Sequence, residues 1–158
     1  MSITATTDAL PENPTQDILW DVIAALLVKF VDALPGVQVI PGWPGDTAKN
    51  ECVWISDMSS TERTVPGFVG DTRVMVDETY DVVFEIEVRG RAQLNATQRR
   101  LSQIVGAMDA AVREDPRLGD FPGLIECLFT QIRRKAGIGD TGHEGVAQMT
   151  LEVHTRLY

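Results

Sequence analysis

Glu78-Thr79-Tyr80-Asp81-Val82-Val83-Phe84-Glu85-Ile86-Glu87-Val88-Arg89 decides the fold of this chain. Tyr80, Val82, Phe84, Ile86 and Val88 fall on one side of an extended backbone, and Asp81, Glu85, Glu87 and Arg89 on the other. Successive side chains of a strand point to opposite faces. The alternation therefore predicts a sheet with one packed face and one wet or partner-facing face.

Working upstream, Glu51 to Asp57 reads as a strand, with Val53 and Ile55 alternating against Cys52 and Trp54. Ser59 to Thr72 contains Pro66, Gly67 and Gly70 and reads as a long loop. Val37 to Ile40 is a short strand, stopped by Pro41-Gly42-Trp43-Pro44-Gly45. Before it, Asn13-Pro14-Thr15-Gln16 carries helix-start chemistry: a capping side chain, proline at the first helical position and a capping-box glutamine. Ile18, Leu19, Val22, Ile23, Leu26, Leu27, Phe30, Val31 and Leu34 then paint one helical face, and Pro35-Gly36 ends it. Residues 1–13 are polar and are expected to form a loose arm.

Downstream, a second helix is expected from about Gln93 to Glu114, with Asn95 and Gln98 as a start signal. Its buried stripe is Leu94, Leu101, Ile104, Val105, Met108 and Val112, and Asp115-Pro116 stops it. Leu124 to Arg134 is apolar on both faces near its centre, as an interior strand would be. Gly137 to Gly145 is a glycine-rich turn, and Val146 to Leu157 closes the chain as a strand. The order is α-β-β-β-α-β-β. It predicts an α+β, two-layer fold: a mixed, mostly antiparallel sheet of about four to five strands packed by two amphipathic helices, in a single domain over 14–158.

Composition sets the outer bounds. At 158 residues the chain suits one domain, and 44% hydrophobic with 23% charged residues is ordinary for a globular protein. Met1 to Asp8 lacks a basic start and an apolar core, so no signal peptide is expected. The apolar stretch Val22 to Leu34 is interrupted by Lys29 and Asp32 and is too short to span a bilayer. Cys52 and Cys127 are far apart, lack metal-site spacing, and read as reduced core thiols, with a disulfide as the alternative. The formal charge of −9 is uneven: residues 1–88 carry 4 basic and 15 acidic side chains, and residues 89–135 carry 9 basic and 5 acidic. An acidic surface disfavours nonspecific binding to nucleic acid or anionic membranes. The segregation permits the acidic part of one copy to face the basic part of another.

No catalytic, cofactor or metal site emerges. Gly137-Ile138-Gly139-Asp140-Thr141-Gly142 has dinucleotide-fingerprint spacing, but the downstream residues alternate as a strand where a helix is required, so it reads as a hairpin turn. His143 and His154 read as surface histidines. Glu85 and Glu87 share a strand face and could serve as paired carboxylates, though solvated side chains are the plainer account. Arg133-Arg134-Lys135 reads as a salt-bridging edge. Val65, Phe68 and Val69 in the expected loop, and Trp43 between two proline-glycine turns, are candidate partner contacts; the alternative is that they fold back on the core.

The leading helix, the Pro41–Gly45 turn, the Cys52-Val53-Trp54-Ile55 strand, the Tyr80–Val88 strand, the long helix, and Glu144-Gly145 before a last strand ending Arg156-Leu157 together resemble the tail terminator (tail-completion) proteins of long-tailed bacteriophages. The resemblance runs from Thr15 onward and rests on element order, size and a few turn residues. It implies a non-enzymatic virion subunit, assembled in the host cytoplasm and placed at the head-proximal end of the tail. In that family a homohexameric ring caps the tail tube, stops its polymerisation and offers the head-joining surface. The implied partners are sister copies, the tail tube protein and a neck or head-completion protein, with DNA passing the lumen without specific binding. The Ser59–Thr72 loop is then the expected tube contact, ordered only on binding. Two other readings stand beside this one: a head-completion or neck adaptor, and a small-molecule-binding or enzymatic α+β domain.

Overall fold

The computed structural model describes residues 14–69, 73–139 and 142–157, and the arm expected at 1–13 lies outside them. The elements are α1 (Pro14–Ala33), β1 (Gln38–Ile40), a 3-10 turn (Gly45–Thr47), β2 (Glu51–Val69), β3 (Arg73–Arg91), α2 (Leu94–Glu114), β4 (Leu124–Gly139) and β5 (Gly142–Leu157). The sheet order is β1-β2-β3-β5-β4. β1 runs parallel to β2, and every other pair is antiparallel. The expected fold class and element order are those observed.

β3 sits centrally because its alternation suits a strand covered on one face. Tyr80, Val82, Phe84, Ile86 and Val88 are all buried, with Ala147, Met149, Leu151 and Val153 of β5 beside them. α1 contributes Leu19, Val22, Ile23, Leu26, Phe30 and Leu34 to this core. α2 contributes Leu101, Ile104, Val105, Met108, Ala111 and Val112. Phe30 meets Phe84 edge-on at 5.5 Å, and Phe129 stacks on Phe30 at 6.2 Å, so three elements share one aromatic cluster. Each fully buried large side chain contributes about 1.5–3 kcal/mol. α2 lies close over the start of β5, where a Cβ at Gly145 would stand 3.1 Å from Thr97 Cγ2 and 3.3 Å from Leu101 Cδ2.

Polar ties hold the layers in register. Glu51 of β2 accepts hydrogen bonds from Arg100 of α2 at 2.6 and 2.9 Å, and from Arg91 at 3.1 Å. The Arg100 and Arg91 guanidiniums hold the Glu51 carboxyl below its ordinary range, against the opposing effect of burial. Asp77, nearly buried, accepts two 2.6 Å bonds from Arg156, which likewise hold its carboxyl down. Lys29 of α1 reaches Asp115, just after α2, at 3.1 Å.

Several expectations are corrected. The described part of the expected loop, Ser59–Val69, is strand: β2 continues to Val69 and β3 begins at Arg73, with bulges at Ile55/Asp57, Ser60/Glu62 and Thr64/Gly67. The bulge beside Pro66 lets a residue without an amide hydrogen sit in a strand. Gly70, Asp71 and Thr72 lie outside the described residues. β4 is an edge strand, not an interior one. The expected glycine-rich turn is mostly strand, with Gly139 opposite Gly142, so the fingerprint-like glycines belong to a hairpin. α2 begins at Leu94 without a side-chain cap; Thr97 Oγ1 instead bonds back to the Gln93 carbonyl at 3.1 Å. Leu94 and Val31, assigned to buried stripes, are exposed. Cys52 and Cys127 are free and buried, as expected, and burial pushes both thiols up to about 11.

Candidate assembly surface

The two faces of the sheet are unlike. Both helices pack on one face, and the other is largely open among the described residues, except at its β1 end, where Cys52 is buried and Trp43 packs on Trp54. On the open face lie Asp81, Glu85 and Glu87 of β3 with Gln148 and Glu152 of β5. Glu85 accepts a 2.6 Å bond from Gln148 and a 3.4 Å bond from Ser56, so it is engaged with its neighbours and not free in solvent. Burial pushes the Glu87 carboxyl up, opposed by Arg89 and reinforced by Glu144 and Glu85. The two glutamates do share a face, as expected, but they converge on no nucleophile or metal ligand. Among the described residues no group of three or more His, Cys, Asp or Glu could hold a metal ion, and no helix is long and apolar enough to cross a membrane.

The histidines are half-buried and not simply on the surface. His154 Nε2 lies 3.8 Å from the Asp77 carboxylate, which Arg156 already holds. His143 keeps a buried Nδ1 without a hydrogen-bond partner. The two residues sit at opposite ends of β5 and form no relay.

An exposed apolar surface lies on α1. At about 100° per residue, Trp20, Ala24, Leu27, Val28 and Val31 fall in an arc beside the buried one. Trp20 is 49%, Val28 64% and Val31 53% exposed. A helix that is apolar around most of its circumference belongs inside a larger core or an interface. Beneath Trp20, Ala24 and Leu27 runs an open groove of about 790 Å³, floored by Ile55 and Met58 of β2 and rimmed by Pro41 and Gly42. The groove exists because β1 pairs with β2 only at Cys52–Trp54, leaving the rest of that edge uncovered.

Of the four residues singled out from the sequence, Trp43 is 59% exposed and stands 4.8 Å from Trp54 in an edge-to-face pair. Val65 is 59% exposed near the end of the β2–β3 ribbon, and Val74, opposite Phe68 on the same ribbon, is 41% exposed. Phe68 and Val69 pair with Val74 and Arg73 across that ribbon, and their side chains lie outside the described part of the structure. The structure does not gather these four into one site: Trp43 flanks the groove end of the sheet, and Val65 lies along the ribbon. Sequence reasoning missed the outer stripe of α1. Its signal was present, since Trp20, Val28 and Val31 interrupt what should be a polar face.

The basic run is also placed. Arg133, Arg134 and Lys135 are exposed on β4. Arg134 donates to Ser102 of α2 at 3.2 Å, while Arg133 and Lys135 have no ion-pair partner among the described residues. The expected salt bridges are not formed at this edge among the described residues, although Glu85 lines the same surface pocket as the three basic residues.

No protein-family model matches the sequence, and no curated protein is similar to it. Among solved structures, a chain of a "Virion of native gene transfer agent (GTA) particle" is similar with a TM-score of 0.45 and 9% identity, over 85% of this chain and 93% of that one. A likeness at that score is too low to bear on fold or function.

Proposed function

We propose that the chain is a structural virion subunit, a tail terminator that works as a hexameric ring. The ring caps a phage tail tube, halts its polymerisation and presents the surface that joins the head. The observation that carries this reading is the exposed apolar arc of α1 over its groove, an interface-grade surface on a chain whose described residues hold no convergent catalytic set. The resemblance of element order and turn residues supplies the particular role.

A ring needs two different complementary patches per subunit, related by a rotation that closes. The α1 arc with its groove is one patch, and the basic β4 edge is a second of different character. The open sheet face, acidic along β3 with Arg133 and Lys135 at its β4 margin, is the one we assign to a lumen through which DNA slides without being held. The β2–β3 ribbon, ending beyond Val65, takes the place of the expected flexible loop as the tube-contacting element. Being strand-paired, it meets the tube as a formed ribbon.

The test is to add the protein to polymerising tail tube protein and measure tube length. A terminator shortens tubes at substoichiometric amounts and decorates their ends. Tubes of unchanged length would rule the role out. The groove also supports the small-molecule reading, since its volume and apolar lining lie in the range of ligand sites. Saturable, competitive displacement of an environment-sensitive apolar dye by a metabolite, from a protein that stays monomeric, would favour that alternative.

A further inference from the structure

Resting on the ring reading above, we infer that sister subunits join by strand addition. The free edge of β4 on one copy docks antiparallel against the free edge of β2, past Trp54, on the next.

Both edges are unpaired among the described residues. β4 bonds only to β5, and β1 covers β2 only at Cys52–Trp54. Unpaired amide and carbonyl groups along an edge are a template for another strand. β4, β5, β3 and β2 alternate in direction across the sheet. An even number of alternating strands means that a copy set beside the first, in the same orientation, presents its β4 antiparallel to the waiting β2. The pairing is head-to-tail, and it repeats until a rotation closes it.

Charge selects this partner over the symmetric ones. β4 carries Arg133, Arg134 and Lys135 with no acidic residue between Gln131 and Gly139. The free edge of β2 carries exposed Asp57 and Glu62, with Arg63 as its one cation, and Asp81 stands opposite Ser59 on the adjoining strand. Joining β4 to β4 in a two-fold dimer would bring two basic runs together, which disfavours that pairing. Apolar chemistry agrees. Ile132, 40% exposed, lies opposite buried Met149 and so on the helix-bearing side of β4. That is also the side on which the groove of Trp20, Ile55 and Met58 borders β2. Strand addition carries Ile132 toward that groove and covers part of the α1 arc.

Charge exchange tests the pairing. One variant combines Arg133→Glu with Lys135→Glu, and a second combines Asp57→Lys with Glu62→Lys. All four side chains are exposed, so far-UV circular dichroism and the unfolding midpoint should match the parent. Sedimentation velocity should find each variant alone weakened in assembly by about tenfold or more. An equimolar mixture should recover rings in which the two alternate, because each variant then meets an oppositely charged edge. If both variants form rings as the parent does, or the mixture stays dissociated, the strand pairing is overturned while the ring reading survives. If the parent itself forms no closed oligomer, alone or on tail tube ends, the ring reading fails and this inference with it.

Discussion

α1 and α2 have nearly the same length, 20 and 21 residues, and pack on the same face of the same sheet, yet they are built differently. α2 buries one stripe from Thr97 to Val112 and turns Arg99, Gln103, Arg113 and Glu114 to solvent. α1 buries an equivalent stripe and then spends Trp20, Val28 and Val31 on a surface that no described residue covers. Water penalises that arrangement in a free monomer, and covering the arc by another molecule removes the penalty. The core therefore accounts for α2 apart from Leu94 at its start, and for only part of α1.

The inner faces should prove equivalent, and here the largest effects are expected. Leu26→Ala on α1 and Met108→Ala on α2 each remove a side chain at 0% exposure, and each should cost about 2–5 kcal/mol in chemical denaturation. A markedly smaller loss for Leu26 would mean that α1 is docked loosely, and the contrast would need another cause. Next comes the tie between α2 and β2. Glu51→Gln weakens both arginine contacts and should cost roughly 2 kcal/mol.

The same carboxylate sets an acid dependence. Its folded pKa lies below the ordinary 4.5, so its contribution is present above that value and is lost as pH falls through the folded pKa. Asp77, held down by Arg156, adds a second contribution of the same sign. Unfolding midpoints of the parent should therefore fall below about pH 4.5. Glu51→Gln should flatten that fall, and an unchanged slope would remove Glu51 from the account.

The outer faces sharpen the comparison with the smallest stability effects. Val28→Ser with Val31→Ser should move stability by only about 0.5 kcal/mol yet reduce self-association or tube-end binding several-fold, read by sedimentation. Arg113→Ala, which loses an exposed pair with Asp109 at 3.0 Å, should change stability by about 0.3–0.5 kcal/mol and leave assembly unchanged. Equal behaviour of the two outer faces would remove the reason for assigning α1 to an interface.

Legibility followed locality. The β3 strand from Tyr80 to Val88, both helices and the element order are written in periodicities of a few residues. Ser59–Thr72 was opaque because Pro66, Gly67 and a run of polar side chains carry turn chemistry. What holds it extended is β3, opposite it in the hairpin, with bulges absorbing the irregular residues. Leu124–Arg134 misled in another way. Leu128 and Ile132 make both faces of β4 apolar, which in an isolated sheet means an interior strand; at an edge, the same pattern leaves room for a partner. Trp43 and Val65 were singled out as candidate contacts from their turn and expected-loop contexts, with folding back on the core as the alternative, and both are exposed. The α1 arc was not, because a helix wheel read for its strongest face hides a second one.

By itself, the sequence determined both helices and the central part of each strand, which side of β3 is buried, and that the fingerprint-like glycines belong to a hairpin. Those properties arise from steric and solvation preferences acting over neighbouring residues. Only the tertiary structure decided which strands end the sheet, how little of β2 is covered by β1, and that a basic edge and an acidic edge stand at opposite limits of one sheet. Strand order is set by contacts between residues far apart in the chain, whose free energies no local window contains.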